Sequence, residues 1–213
     1  AKIHTAWIAP DTEYEDACRL FIEKILPPGS SSPFLKHFIP FQKKIAFYGI
    51  FNSLSQALIK MASPGVPDFY QGCELWDFSL VDPDNRRPVD WHLREEYLND
   101  IIHKQKHSAS ACIEELLASK EDGRIKLFLI HRCLATRHAN RKLFDSGEYL
   151  PVAAAGKYAS SVIAFARIRG RQRALIAAPR FLTRVVSEDQ LPLGDAWRDT
   201  ELVLPGSFPE QWR

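Results

Sequence analysis

Sulfur is scarce in this sequence, which has one methionine and four cysteines among 213 residues. The cysteines form no C-x-x-C pair, so the sequence lacks the clustered ligands of a structural zinc site. Three of the four cysteines fall within helical patterns, where free cysteine behaves as a small buried hydrophobe. We therefore expect reduced thiols in a cytoplasmic protein; the residues are Cys18, Cys73, Cys112 and Cys133.

Long apolar runs and long blocks of like charge are also missing. No apolar run approaches the roughly 20 residues that span a bilayer, and no signal peptide is recognisable. The net charge is only +2, so neither a membrane nor a nucleic acid is expected as a partner. The one basic cluster predicts a solvated hairpin turn around Gly170, and its members are Arg167, Arg169, Arg171 and Arg173.

An initiator methionine is absent as well, because the chain begins with Ala1 and its only methionine, Met61, lies deep in a helical pattern. We expect the sequence to be a piece of a longer protein. Its 46% hydrophobic and 25% charged residues are typical of a folded globular chain. A length of 213 residues predicts one large domain or two small ones.

Patterns typical of metal and cofactor sites are incomplete. His103 and His107 have the i, i+4 spacing of zinc helices, but Lys104 replaces the glutamate of H-E-x-x-H. The run from Asp82 resembles a calcium loop, but Arg87 stands where an EF-hand needs glycine. There is no phosphate-cradling glycine loop and no serine-nucleophile elbow. We therefore expect no metal and no cofactor.

Helical patterns fill most of the chain up to residue 146. Thr12 followed by Glu15 predicts a capping box at the start of a helix that Pro27–Ser32 ends. Further helices are predicted from Gln42 to Ala62, from His92 to Ser119 with a break near Ser108–Ser110, and from Asp122 to Leu143. In the last of these, the residues predicted to face inward are Ile125, Phe128, Leu129, Cys133 and Leu134.

Strand patterns appear once within the helical part and repeatedly after Gly147. Val66–Tyr70 is short and apolar between two glycines, which predicts a buried strand of a parallel sheet. After Gly147 the predicted strands are Tyr149–Val152, Ser161–Ile168, Ala174–Ala178 and Leu202–Leu204. The sequence thus predicts a mostly helical α/β part over residues 1–146 and a small antiparallel β domain over residues 147–213.

The segment Pro64–Trp91 combines aromatic rings with acids and arginines, in a loop that follows an apolar helix. Aromatic rings suit the C–H faces of sugars, and Asp, Asn and Arg suit their hydroxyl groups. Binding groups concentrate in loops held on a rigid scaffold. An equally acceptable interpretation is structural, with Trp76 and Trp91 as core anchors and the charged groups solvated.

Two runs of this segment resemble a known family. SPGVPDFYQGCELW from Ser63 and SLVDPDNRRPVD from Ser79 look like the maltooligosyltrehalose synthases, a branch of the α-amylase family. The broader family has a G-x-P-x-x-Y-x-G-x-E barrel strand, matched here from Gly65 to Glu74. Weaker similarity covers KIHTAWI from Lys2 and WRDTELVLP from Trp197.

This resemblance implies the C-terminal portion of a (β/α)8 barrel, with Val66–Tyr70 as its eighth strand and a β domain after it. It also implies a retaining, intramolecular transglycosylation that turns the reducing-end α-1,4 linkage of a maltooligosaccharide into an α,α-1,1 linkage. The catalytic carboxylates of the family match no position of this sequence, so we assign no catalytic residue. Asp68 and Glu74 receive no chemical role, and a purely structural role of Glu74 remains open.

The resemblance carries over only substrate contacts, and pairing of the acids with the arginines to hold the loop is the alternative for them. The expected substrate-binding residues are Asp82, Asp84, Asn85, Arg86, Arg87, Tyr70 and Trp76. Two other functions stay open: a non-catalytic glycan-binding module and another transglycosylase of the family, such as a 4-α-glucanotransferase. A partial barrel would also leave apolar surface uncovered, so either self-association or a rearranged fold is expected.

Overall fold

The computed structural model describes residues 3–26, 32–188, 190–206 and 208, and the chain divides into two compact units, Ala1–Phe47 and Tyr48–Arg213. Helices occupy the chain up to residue 146. They are α1 (Thr12–Ile25), α2 (Pro33–Ala62), α3 (Trp91–His107), α4 (Ala109–Ala118), α5 (Arg124–Ala139) and α6 (Arg141–Ser146). Among the residues described, no helix is both long enough and apolar enough to cross a membrane.

Helix α1 begins one residue from the predicted cap. Asp11 is the N-cap, and its carboxylate accepts a hydrogen bond from the Tyr14 backbone N–H at 3.0 Å. The predicted capping box is therefore wrong: Thr12 is already helical, and the Glu15 carboxylate instead accepts from the Thr5 hydroxyl at 2.5 Å. The expected helix stop at Pro27–Ser31 lies outside the described residues.

Helix α2 starts at Pro33, well before the predicted Gln42. Proline is favoured in the first turn of a helix because its missing N–H would have no partner there. Pro40 lies inside the helix, where sequence reasoning expects a break. Within the unit Tyr48–Arg213, α2 buries Phe51, Ala57 and Met61 as well as its last residue, Ala62.

The predicted strand Val66–Tyr70 is not formed. This segment is irregular, and its first residue is 92% exposed. A strand needs hydrogen-bonded neighbours, and no described segment supplies them here, since the one sheet of the described chain is made of later residues. The one sheet among the described residues is antiparallel, so the structure does not confirm the implied barrel portion, and the fold is a mostly helical body followed by an antiparallel sheet.

Helices α3, α4 and α5 share an apolar core that also contains Leu75 of the Pro64–Trp91 segment. Ser108 ends α3 and caps α4, its hydroxyl accepting from the Ala111 N–H at 3.2 Å, which confirms the predicted break. Leu134, which was predicted to face inward, is 36% exposed. The buried members of the core are Leu75, Ile101, Cys112, Leu116, Ile125 and Leu127.

The four predicted strands all form, close to their predicted bounds. They are β1 (Glu148–Ala155), β2 (Val162–Arg169), β3 (Gln172–Pro179) and β4 (Glu201–Val203). The sheet is antiparallel in the order β3-β2-β1-β4. Strands β2 and β3 form the predicted hairpin, with Arg169 opposite Gln172 and Gly170 at φ +58° in the turn.

Two buried arginines stabilise the end of α2. Arg167 is only 1% exposed, which corrects the expectation of a solvated side chain, and it donates to the carbonyls of Ala62 at 3.2 Å and Gly147 at 2.8 Å. Arg137 donates to the carbonyls of Met61 at 2.8 Å and Gly65. Cations at this end match the helix dipole and satisfy carbonyls that lack helical partners.

Candidate functional site

One guanidinium group, that of Arg94 in the first turn of α3, binds two distant parts of the Pro64–Trp91 segment. Arg94 Nη2 donates to the Gly72 carbonyl at 2.8 Å, and Nη1 donates to the Asp90 carbonyl at 3.0 Å. Its Nε donates to the Glu74 carboxylate at 3.0 Å. Arg94 therefore holds together backbone groups that lie 18 residues apart in the chain, and the intervening loop projects from that anchor.

The tip of this loop is the turn from Asp82 to Arg87, which contains five of the seven expected substrate-binding residues. Arg86 makes a two-pronged ion pair with Asp82, at 2.5 Å and 2.7 Å, and Arg87 pairs with Asp84. The second carboxylate oxygen of Asp84 accepts from the Leu80 N–H at 2.6 Å. These four charged residues thus pair with one another, acid with arginine, as in the alternative raised from the sequence.

These pairs leave part of each side chain open to a ligand. The side chains of Arg86 and Arg87 are 68% and 72% exposed, and that of Asp82 is 56% exposed. A paired carboxylate keeps free lone pairs, and a guanidinium has five N–H donors. The turn therefore presents fixed donors and acceptors at short spacing, as recognition of vicinal hydroxyl groups requires.

Asn85 differs from the charged residues of the turn. Its side-chain oxygen is buried and accepts no hydrogen bond within the described part of the chain. A buried carbonyl oxygen without a donor is unfavourable by about 1–3 kcal/mol. Among the expected site residues, Asn85 is thus the one that has a buried side-chain atom without a hydrogen-bond partner in the described part of the chain.

Trp76 lies at the base of the loop, where its ring packs against the core that contains Leu75. Its indole N–H donates to the Lys120 carbonyl at 2.9 Å, and the Lys126 ammonium lies 5.5 Å from the ring centroid. The Lys126 ammonium also donates to the Leu75 carbonyl at 3.2 Å, and burial lowers the pKa of this amine. These contacts fit a core anchor, so Trp76 does not offer a free ring face at the tip of the loop.

Gly123 explains how the loop base comes so close to α5. It has φ +84°, and a Cβ at this position would lie 2.9 Å from the backbone nitrogen of Trp76. Glycine is therefore required here for both backbone conformation and space. The close approach brings Trp76 against the residues that precede α5.

Tyr70 and several apolar side chains of the segment are exposed. Tyr70 is 47% exposed, and its carbonyl accepts from the Cys73 N–H at 3.1 Å. No hydrogen bond among the described residues connects Tyr70 with the turn at 82–87. The most exposed apolar side chains of the segment are Val66 at 92%, Phe78 at 89%, Val81 at 85% and Leu80 at 77%.

A separate open cavity of about 520 Å³ lies in the unit Tyr48–Arg213, between α2, α4, α5 and the sheet. Its walls are almost wholly apolar, with Phe51, Leu58, Phe128, Leu193 and Trp197 among them. A sugar site needs polar groups that pair with hydroxyl groups. The cavity therefore does not suit a carbohydrate, despite its size.

Sequence reasoning missed Arg94, Lys126 and Gly123, which position the loop. One signal for Arg94 was available, because a cation in the first turn of a helix opposes the helix dipole. Such a placement calls for a compensating partner, which the structure identifies as Glu74. Lys126 and Gly123 lie more than 45 residues from their contacts in the loop and left no local pattern.

The chain resembles known proteins both in sequence and in fold. No protein-family model matches it. A protein of Mycobacterium tuberculosis strain H37Rv, provisionally named maltooligosyl trehalose synthase, is 31% identical over 211 residues, which is 99% of this chain and 23% of that protein. The structure of maltooligosyltrehalose synthase from Arthrobacter ramosus matches 95% of this chain and 23% of its own, with a TM-score of 0.70 and 29% identity.

A further structure titled as a maltooligosyl trehalose synthase matches 78% of the chain with a TM-score of 0.62 and 35% identity. These matches define the class of protein, because each of these relatives is named a maltooligosyl trehalose synthase. Along nearly its whole length the chain is a homologue of maltooligosyltrehalose synthase, which confirms the resemblance found in its sequence. The chain spans about a quarter of the length of these relatives, and for the curated proteins this share is 23%.

Proposed function

We propose that this chain is the substrate-side part of an enzyme that converts the reducing-end α-1,4 linkage of a maltooligosaccharide into an α,α-1,1 linkage. The observation that carries this proposal is homology to maltooligosyltrehalose synthases over 99% of the chain. The second of the two sequence runs that carry the resemblance, the one from Ser79, contains the exposed, internally paired turn at Asp82–Arg87.

In this proposal the turn binds and orients the sugar. Asp82 and Asp84 accept hydrogen bonds from hydroxyl groups, and Arg86 and Arg87 donate to sugar oxygens, while the ion pairs keep all four groups in place before the ligand arrives. Preorganisation lowers the entropic cost of binding. Asn85 and Tyr70 contribute further contacts, and Trp76 supports the loop from below.

The chemical step belongs to carboxylates that we assign to no residue of this chain. A retaining transglycosylation needs one carboxylate as nucleophile and one as acid and base. The acids of the turn are held in ion pairs with arginines, an arrangement that suits binding and positioning of the sugar. We therefore expect the 213-residue chain alone to be inactive.

The test is conversion of maltopentaose, followed by the loss of reducing ends at constant chain length. We expect the complete translation product of the gene to remove reducing ends and the 213-residue chain alone to leave them intact. Redistribution of chain lengths with reducing ends retained would indicate a 4-α-glucanotransferase instead. Binding of maltopentaose by the full product without any conversion would indicate a glycan-binding module, and either outcome would refute the proposed reaction.

The chain by itself is also proposed to self-associate. Val66, Phe78, Leu80 and Val81 are each at least 77% exposed, and large apolar side chains exposed near one another in sequence favour association. Light scattering across a concentration series is the measurement, and we expect the average mass to rise with concentration. A constant monomer mass would contradict this proposal without affecting the proposed reaction.

A further inference from the structure

A pair of histidines lies on the last turn of α3, outside the candidate sugar site. His103 and His107 are four residues apart and both exposed, and their rings meet edge to face with centroids 4.7 Å apart. The two Nε2 atoms are 3.3 Å apart. The two rings therefore bring the same nitrogen of each imidazole close together at the surface of the helix.

The separation of these nitrogens fits a shared metal ion. Two nitrogen ligands at 2.0–2.1 Å from one tetrahedral Zn²⁺ lie about 3.3–3.4 Å from each other. Neutral imidazole is a strong ligand for late transition metals. Without metal, the same two nitrogens can share one proton in a hydrogen bond, and their separation is already the one that a chelate requires.

Of the two lysines between the histidines, Lys104 and Lys106, the one that replaces the motif's glutamate is Lys104, and it is held away from the imidazoles. The Lys104 ammonium is held by the Asp100 carboxylate at 2.8 Å and by the Glu115 carboxylate at 2.7 Å. These contacts fix the positive charge between α3 and α4 instead of leaving it free beside the imidazoles. The replacement of the H-E-x-x-H glutamate by Lys104 therefore excludes the protease motif but leaves the two-histidine chelate intact.

We infer that His103 and His107 form a surface site for a divalent late transition-metal ion, with Zn²⁺ as the best geometric match. Among the described residues no third histidine, cysteine, aspartate or glutamate joins the pair, so water fills the remaining coordination positions. Such a site would link the first and last residues of a helical turn and stabilise the end of α3. It is independent of the proposed sugar chemistry.

The test is titration of the 213-residue chain with Zn²⁺ alone by calorimetry, at slightly alkaline pH because protons compete with the metal for its ligands. The variants are His103→Gln and His107→Gln, which keep a polar side chain on an exposed helix. His131→Gln and His138→Gln are the matched controls, since they also remove one imidazole each. Circular dichroism confirms that the variants keep the helical content of the parent chain.

We expect each of His103→Gln and His107→Gln to weaken the site by about a hundredfold, because the second imidazole no longer acts within a chelate. The two control variants should bind as the parent does. All four proteins retain the four free cysteines, so Zn²⁺ binding that survives both test variants would assign the metal to the thiols and overturn the inference. Loss in only one test variant would overturn it too, because a chelate needs both rings.

Discussion

The guanidinium of Arg94 lies 3.0 Å from the carboxylate of Glu74, in an ion pair whose two side chains are 16% and 22% exposed. This pair is much less exposed than the ion pairs of the turn at Asp82–Arg87. The same guanidinium bonds the carbonyls of Gly72 and Asp90. Removal of Arg94 therefore affects one acid and two carbonyl groups together.

Arg94→Ala is expected to lower the free energy of unfolding by about 2–3 kcal/mol, because it leaves a half-buried carboxylate and two carbonyls without their donor. Urea unfolding measures the change, and hydrogen exchange should show faster exchange across residues 72–90. Arg94→Lys keeps the charge but loses the forked geometry, so we expect an intermediate effect. A loop protected as well in Arg94→Ala as in the parent would contradict the role of Arg94 as its anchor.

Gly123→Ala tests the close approach of Trp76. The new methyl group would lie 2.9 Å from the Trp76 backbone nitrogen, at a residue with φ +84°. Gly65→Ala is the control, because Gly65 also has a positive φ, +102°, but has no neighbour within 4 Å of the added atom. We expect both variants to be destabilised by left-handed strain of about 1–2 kcal/mol, and Gly123→Ala by clearly more.

The matched comparison isolates the steric contact, and tryptophan fluorescence supplies a second measurement for it. Only Gly123→Ala should change the emission of the chain, since only this substitution displaces Trp76. Equal losses of stability in the two variants would show that space beside Trp76 does not matter.

The amine of Lys126 predicts that the free energy of unfolding depends on pH in the alkaline range. Burial lowers the pKa of its amine in the folded chain, so the unfolded chain binds more protons between that pKa and the ordinary value of about 10.4. The free energy of unfolding contributed by this group therefore rises with pH across that window. We expect the urea midpoint of the parent to rise relative to Lys126→Met as the pH approaches the ordinary value. Parallel pH profiles of the two proteins would contradict this.

Arg137→Ala is expected to destabilise the chain by about 3 kcal/mol, because the carbonyls of Met61, Ser63 and Gly65 all lose a donor. Arg141→Ala is the matched control, since Arg141 is 79% exposed and pairs only at the surface with Asp145. That substitution should change stability by less than about 1 kcal/mol. Thermal or urea unfolding of the two variants gives the comparison, and similar values for both would refute the role of Arg137.

Local patterns predicted the parts of the fold that depend on neighbours in sequence. The strands after Gly147, the hairpin at Gly170 and the break at Ser108 follow from alternation, turn chemistry and capping, and the structure confirms them. The start of α2 was missed because Pro40 reads as a helix breaker. The strand predicted at Val66–Tyr70 was wrong because apolar character favours a strand only where a partner strand is present.

Burial of charge was the least predictable feature. Arg167 was expected to be one of four solvated arginines. It is instead buried at the end of α2, where it donates to the carbonyl of Ala62, 105 residues earlier in the chain. In the candidate site, the residues of the turn were found from the sequence, and so was the alternative that they pair with one another. The residues that fix the loop from a distance, Arg94 and Lys126, required three-dimensional contacts.

The hydrogen bonds that Arg137 and Arg167 donate to the end of α2 have a consequence for the order of folding. Arg137 and Arg167 reach α2 across 76 and 105 residues of chain, and contacts over such separations form slowly because a long loop must close first. The last turn of α2 and the start of the Pro64–Trp91 segment are therefore expected to be completed late, after the hairpin that carries Arg167. A chain released from the ribosome before its strands are made would have this segment unfinished and open to proteases.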